Sequence, residues 1–132
     1  MGASKLFLIT RADLSAGQQA VQAAHAMREF AEHHPEIERV WYRESNTLAF
    51  LVVSDERALG VLLKRARRRD VPAAAFHEPD RNNEMTAIAL GPAARSLVSN
   101  LPLALTGSHS SMAEQRLLTP RVAGSTPVGT SE

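Results

Sequence analysis

The sequence contains no cysteine, which excludes thiol catalysis, thiolate metal sites and disulfide bonds. Aromatic residues make up only 5% of its 132 residues, so the core must be built mainly from Ala, Leu, Val and Ile. No apolar run approaches the roughly 18 residues that span a bilayer. The N-terminus has no signal-peptide pattern, and we therefore predict a cytoplasmic protein. The formal net charge of +1 favours no class of partner, so any electrostatic argument must rest on local clusters.

Several catalytic motifs are also missing. The sequence has no His-x-x-x-His pair, no P-loop and no Gly-x-Ser-x-Gly turn. We therefore predict no metal site, no cofactor and no serine nucleophile at such a turn.

The apolar pattern predicts an α/β domain. Short apolar runs typical of buried strands occupy 5–10, 46–53, 73–77 and 85–90. Helical patterns occupy 17–33, 56–69 and 93–99, residues 36–43 fit either a short helix or an irregular connection, and 101–105 fits an extended edge segment. The order β-α-β-α-β-β-α requires crossovers between strands. It therefore predicts a mixed sheet with helices on both faces.

The first long helix has two distinct faces at about 100° per residue. The apolar face comprises Ala20, Ala23, Ala24, Met27, Phe30 and Ala31. The opposite, polar face comprises Gln18, Gln22, His25 and Glu29. We expect the small apolar side chains to pack on the sheet and the polar face to be the first place to look for chemistry.

Composition changes after Thr106, where Ser, Thr, Gly and Pro become frequent and no periodic pattern is sustained. We predict a folded domain at 1–106 and a disordered tail at 107–132. Two blocks of this tail, 110–115 and 123–129, can be written in codons that match the D-arm and the T-arm of a transfer RNA. We hypothesise that the reading frame here runs through a tRNA gene.

One basic cluster ends the second long helix. It comprises Lys64, Arg65, Arg67, Arg68 and Arg69. Cations at a helix C-terminus complement the helix dipole, but five in six positions exceed what that requires. The cluster therefore favours a surface that binds the phosphates of RNA, to which Arg11 is predicted to contribute.

Residues 5–105 resemble the type 2 peptidyl-tRNA hydrolase family in the order of several short motifs. The first strand is followed by Arg-x-Asp-Leu at 11–14, and the helix that opens at Gly17 contains Ala-x-Gln-x-x-His-Ala at 20–26. Thr86 then precedes a small apolar strand that ends in Gly-Pro at 91–92. The resemblance implies a four-stranded mixed sheet, a homodimer, and hydrolysis of the ester between peptide and tRNA without a metal ion.

The resemblance implies Asp80 and Thr86 as the centre of the site. Each also has a simpler explanation, because Asp is common in turns and Thr is common in strands. Glu78 is a credible alternative to Asp80 as the essential acid. His25 is a candidate general base or adenosine-binding residue, or a surface His bonded within its helix.

Gln18 and Gln22 are predicted to line the same site, where amides can hold a ribose or phosphate. Gln18 stands where the family has a Lys, so this position can donate a hydrogen bond but brings no charge. Two alternatives to the hydrolase prediction stay open. One is a non-catalytic member of the fold that binds RNA or another partner, and the other is hydrolysis of a different ester or amide.

Overall fold

A computed structural model describes residues 4–106. The predicted tail at 107–132 and the tRNA-gene hypothesis lie outside the described residues. Strands are β1 (Lys5–Arg11), β2 (Thr47–Val53), β3 (Ala73–Glu78) and β4 (Glu84–Leu90). Helices are α1 (Ala16–His33), α2 (Pro35–Glu44), α3 (Glu56–Arg68) and α4 (Arg95–Val98), with 3₁₀ turns at Pro79–Arg81 and Pro92–Ala94. Over residues 4–106, no helix is long and apolar enough to cross a membrane.

The four strands form one mixed sheet, as predicted, and their order in the sheet is β2-β1-β4-β3. β1 pairs parallel to β2 and antiparallel to β4, and β3 pairs antiparallel to β4. Side chains alternate along central β1, so Leu6 and Leu8 pack in the core on the α1 face while Phe7 and Ile9 pack in the core on the α3 face. Both faces of the sheet are therefore covered by helices.

The connections bring one set of ends to a common edge. β1, β2 and β3 end there, and β4, α1 and α3 begin there. A hydrogen bond from the Met85 amide to the Glu56 carboxylate (2.8 Å) ties the start of α3 to the start of β4. At the opposite edge, the Gly91 amide donates to the Pro72 carbonyl (2.9 Å), close to where α3 has ended. The directions of the strands and helices therefore decide which functional residues lie at the same edge of the sheet.

The structure assigns a conformation to residues 36–43 and 101–105, for which the sequence pattern is ambiguous or weak. Residues 36–43 belong to helix α2, whose buried Trp41 donates its indole N–H to the Thr47 carbonyl (2.7 Å). The 101–105 segment runs along the outer edge of β2 through one bridge between Leu51 and Leu103. The carbonyl of Pro102 accepts from the Val52 amide there, so its missing N–H costs no sheet bond.

The predicted orientation of α1 is wrong in part. Its buried residues are Gln19, Gln22, Ala23, Ala26 and Phe30. Ala20 and Ala24, expected against the sheet, are exposed, whereas Gln22, expected on the face opposite the sheet, is only 3% exposed. Alanine buries too little area to fix the rotation of a helix, and the large Phe30 side chain contributes far more. The amides of Gln19 and Gln22 are hydrogen-bonded, which makes their burial affordable.

Candidate active site

An open cleft of about 440 Å³ lies where β3 ends and α1 begins. Its walls are the first turns of α1 and the turn after β3, with the lining residues Gly17, Gln18, Val21, Gln22, Glu78, Asp80 and Arg81. Ser15 caps α1 by accepting a hydrogen bond from the Gln18 amide (3.2 Å). The first amides of this 18-residue helix give the cleft a partial positive potential, which favours anionic groups.

A chain of hydrogen bonds runs from the core to this cleft. The Thr10 hydroxyl donates to the Thr86 carbonyl (2.7 Å), and the Thr86 hydroxyl donates to Gln22 Oε1 (2.7 Å). Gln22 Nε2 then donates to Glu78 Oε1 (2.9 Å). Thr86 is fully buried, so it orients the amide of Gln22 rather than lining the cleft.

Glu78 is the carboxylate whose position this chain fixes. Its second oxygen accepts from the Asp80 amide (3.2 Å). The hydrogen bond from Gln22 is the main reason why the pKa of Glu78 is lowered, and the Asp80 amide and the charges of His25 and Arg81 lower it further. Glu78 is therefore ionised at neutral pH. Asp80 also lines the cleft, but its exposed carboxylate has no hydrogen-bond or ion-pair partner within residues 4–106.

The two remaining α1 candidates occupy different places. Gln18 lines the cleft with an exposed side chain. His25 lies about two turns further along α1 and outside the cleft lining. Its exposed ring stacks on Phe76, with centroids 4.4 Å apart and an interplanar angle of 17°. This stacked pair lies next to the Gln22–Glu78 contact, because His25 follows Gln22 by about one turn of α1 and Phe76 precedes Glu78 by two residues on the same face of β3.

Arg11, predicted to contact substrate, is buried and does not line the cleft. Its guanidinium forms a bidentate pair with Asp13 (2.9 and 3.0 Å) and also donates to Glu84 (2.8 Å) and to the Met85 carbonyl (3.3 Å). These bonds raise the pKa of Arg11, and they are the main reason why the pKa values of Asp13 and Glu84 are lowered. Arg11 thus connects the end of β1 to the start of β4.

The ion pairs of Arg11 with Asp13 and Glu84 are expected to make the stability of the fold sensitive to acid. Because the pKa values of Asp13 and Glu84 are lowered, their stabilisation is complete above the ordinary carboxyl pKa of about 4 and is lost as pH falls through the lowered values. We expect an Arg11→Met variant to have a lower Tm at pH 7 and a flatter decline of Tm between pH 5 and pH 3. The exposed Arg39→Met variant is the control, and equal slopes in both variants would contradict the assignment.

The basic cluster on α3 is not brought to the cleft. Its members, Lys64, Arg65, Arg67, Arg68 and Arg69, are all exposed at the C-terminal end of the helix. That end lies near the edge where β4 finishes, whereas the cleft lies near where β4 starts. The seven residues of β4 separate the two edges by about 20 Å.

The sequence favours Asp80 over Glu78 as the essential acid and does not single out Arg81, which also lines the cleft. The Pro79–Arg81 turn carries both Asp80 and Arg81 to the wall that faces Gln18, and nothing in the sequence distinguishes this Arg from the other exposed ones. Within residues 4–106, no group of three His, Asp or Glu side chains is placed to hold a metal ion.

The chain is similar to known proteins in sequence and in fold. A family model described as "Peptidyl-tRNA hydrolase PTH2" matches residues 4–106. A comparison with curated proteins finds no match. Among solved structures, the chain is similar to a protein of unknown function from Agrobacterium tumefaciens strain C58, with a TM-score of 0.55 and 17% identity. That similarity covers 78% of this chain and 98% of the other, and it supports the fold alone.

Proposed function

The chain belongs to the peptidyl-tRNA hydrolase PTH2 family, and from this premise we propose that it hydrolyses the ester between peptide and tRNA to release free tRNA. The observation that carries the proposal is the hydrogen-bond chain from Thr86 through Gln22 to Glu78. It holds one ionised carboxylate in a defined position inside an open cleft. Activation of a water molecule for ester hydrolysis requires such a group.

In the proposed reaction, Glu78 takes a proton from a water molecule as its oxygen attacks the ester carbonyl. The resulting oxyanion is stabilised by donors at the start of α1, including the side-chain amide of Gln18. Collapse of the tetrahedral intermediate breaks the bond to the ribose oxygen, which takes the proton back from Glu78. The products are a tRNA with a free ribose hydroxyl and a peptide carboxylic acid, which releases its proton to water at neutral pH.

Asp80 and His25 are assigned to substrate binding. The exposed carboxylate of Asp80 is free to accept a hydrogen bond from a ribose hydroxyl. The stacked aromatic pair His25 and Phe76, next to the Gln22–Glu78 contact, offers ring groups on which the terminal adenine of the tRNA can stack. Asp80 lies on the cleft wall formed by the turn after β3, and His25 lies on α1 about one turn beyond Gln22, which bonds to Glu78. A substrate end bound at Glu78 can therefore extend to both groups.

The α3 cluster is assigned to the tRNA backbone away from the ester. Lys64, Arg67 and Arg68 are spaced by three and four residues, which places them on one exposed face of α3. A tRNA is long enough to contact this surface while its end enters the cleft.

Salt dependence tests this second contact. In a variant with Lys64, Arg67 and Arg68 all changed to Gln, we expect the slope of log K against log salt to fall in magnitude by about 2. Fluorescence anisotropy with labelled tRNA, measured at several KCl concentrations between about 50 and 300 mM, gives the binding constant and hence this slope. The matched control changes Arg39 and Arg43 of α2 to Gln. An unchanged slope in the triple variant would remove α3 from the tRNA surface.

The direct test of the proposal is release of free tRNA from an N-acetylated aminoacyl-tRNA by the purified protein. We expect turnover above the rate of spontaneous hydrolysis. Gln18 gives a specific reason to keep a second candidate, a non-catalytic tRNA-binding module, because it removes the family's charge. Salt-dependent tRNA binding without turnover would select that candidate. Turnover of small esters without tRNA affinity would select hydrolysis of another substrate.

A further inference from the structure

We propose that Arg81 supplies the positive charge that Gln18 cannot, and that it binds an anionic oxygen of the substrate beside the scissile ester. The inference rests on the proposed function and names one of its binding groups. The proposed cation lies on the wall formed by the turn after β3, whereas Gln18 lies on the wall formed by helix α1.

The contacts of Arg81 leave its charge available. Arg81 lines the cleft together with Gln18 and Glu78, and its side chain is 38% exposed. Its Nε is shielded from solvent and has no hydrogen-bond partner within residues 4–106, the nearest acid being Glu84 at 3.5 Å. Glu84 is already bonded to Arg11 at 2.8 Å, so Arg81 shares this carboxylate. Within the same residues Arg81 has no ion pair other than this one, and its side chain is partly exposed at the cleft.

The turn fixes Arg81 on this wall. Asn82 and Asn83 have left-handed backbone conformations, with φ of 56° and 60°, which Asn tolerates well. The Asn83 amide donates to the Glu78 carbonyl (2.9 Å) and closes the turn. Arg81 is therefore held between two closely bonded points rather than on a long free loop.

The charge balance of the cleft requires such a cation. Among residues 4–106, its lining contains two acids, Glu78 and Asp80, and one basic side chain, that of Arg81. Without Arg81 the lining would present two negative charges to a polyanionic tRNA, and the like charges would oppose entry of its end. Arg81 is close enough to lower the pKa of Glu78, in support of its position beside the reacting groups.

A guanidinium presents a planar fork that matches two oxygens of one anion. The substrate offers two such anions near the ester, the phosphodiester of its last nucleotide and the oxyanion of the tetrahedral intermediate. Binding to the phosphodiester acts in the ground state and is read in KM. Binding to the oxyanion acts in the transition state and is read in kcat.

The test compares three variants in hydrolysis of an N-acetylated aminoacyl-tRNA: Arg81→Gln, Arg81→Lys, and the charge-relocated double variant Arg81→Gln with Gln18→Lys. We expect Arg81→Gln to lower kcat/KM by about tenfold to 100-fold. We expect Arg81→Lys and the double variant each to recover a substantial part of that loss, because each restores a cation in the cleft. Arg39→Gln, an exposed charge removal on α2, is the control.

Two outcomes would overturn the proposal. One is an Arg81→Gln variant with the kcat/KM of the Arg39→Gln control. The other is a loss that neither Lys variant recovers, which would identify Arg81 as a structural partner of Glu84. If the parent protein releases no tRNA, the hydrolase proposal fails, but the proposal for Arg81 can still be tested. The measurement is then the affinity of each variant for an RNA minihelix that carries a 3′-aminoacyl amide. Weaker binding by Arg81→Gln than by the control then supports the cation, and equal binding refutes it.

Discussion

A Glu78→Gln variant is expected to release tRNA from N-acetylated aminoacyl-tRNA at least about 100-fold more slowly than the parent protein. Glutamine has nearly the same size as Glu78 and keeps one oxygen that can accept from Gln22 Nε2, so the hydrogen-bond chain to Thr86 survives, while the exposed bond from the Asp80 amide is lost. It carries no charge and cannot take a proton from water. The expected result is a loss in kcat with little change in Tm, measured by steady-state kinetics and thermal denaturation.

Asp80→Asn is the matched comparison, because it removes the other carboxylate of the same cleft. We expect a loss below about tenfold, since Asp80 is exposed and its carboxylate has no partner in the described chain that would hold it in place. The reverse result, a large loss for Asp80→Asn and a small one for Glu78→Gln, would make Asp80 the essential acid. The position fixed by hydrogen bonds would then be a binding position only.

The lowered pKa of Glu78 also determines the expected fall of kcat/KM at acidic pH. The bonds from Gln22 and the Asp80 amide keep its pKa below the usual value, so the free enzyme holds the active, ionised form down to acidic pH. We expect the midpoint of the acid limb of kcat/KM to lie below the ordinary pKa of Glu, about 4.3. In a Gln22→Leu variant, which loses the largest cause of this lowering, the fall should begin at a higher pH.

The fold could be predicted from the sequence because its elements have strong local signals. The β1 run 5–10 is apolar on both faces, and Ser15 and Asp55 are capping residues that do cap α1 and α3. Their order already required crossovers and a mixed sheet. The rotation of α1 was less predictable, because Ala20 and Ala24 carry too little area to decide which side faces the sheet.

The site was harder to predict because it depends on contacts distant in sequence. Gln22 and Glu78 meet only after β3 and α1 have packed together, and nothing local shows that a glutamine on a helix will be buried. The family resemblance favoured Asp80 by alignment. A shift of two residues within a short turn separates Asp80 from Glu78, and only the hydrogen bonds of the folded chain distinguish them.

A Phe30→Ala variant is expected to lose about 3–5 kcal/mol of unfolding free energy. Phe30 is fully buried in the core between α1 and the sheet, in the cluster that also contains Leu6, Leu8 and Trp41. Its ring reaches the opposite edge of the sheet, within 3.5 Å of where a side chain on Gly91 would begin. Removal of the ring leaves a cavity that the surrounding strands cannot fill. We expect Tm to fall by at least about 12 °C.

Tyr42→Ala is the control for the loss of an aromatic ring, because Tyr42 is 60% exposed on α2 and its truncation should change stability by no more than about 0.5 kcal/mol. Phe30 lies twelve residues along α1 from Gln18, a distance of about 18 Å. Below its Tm, the Phe30→Ala variant should therefore keep kcat within a few fold, the opposite of Glu78→Gln. Equal Tm values for Phe30→Ala and Tyr42→Ala would mean that α1 is not held by this core. A loss of kcat in a folded Phe30→Ala variant would mean that the packing of α1 at Phe30, far from the cleft, also positions the Gln22–Glu78 contact.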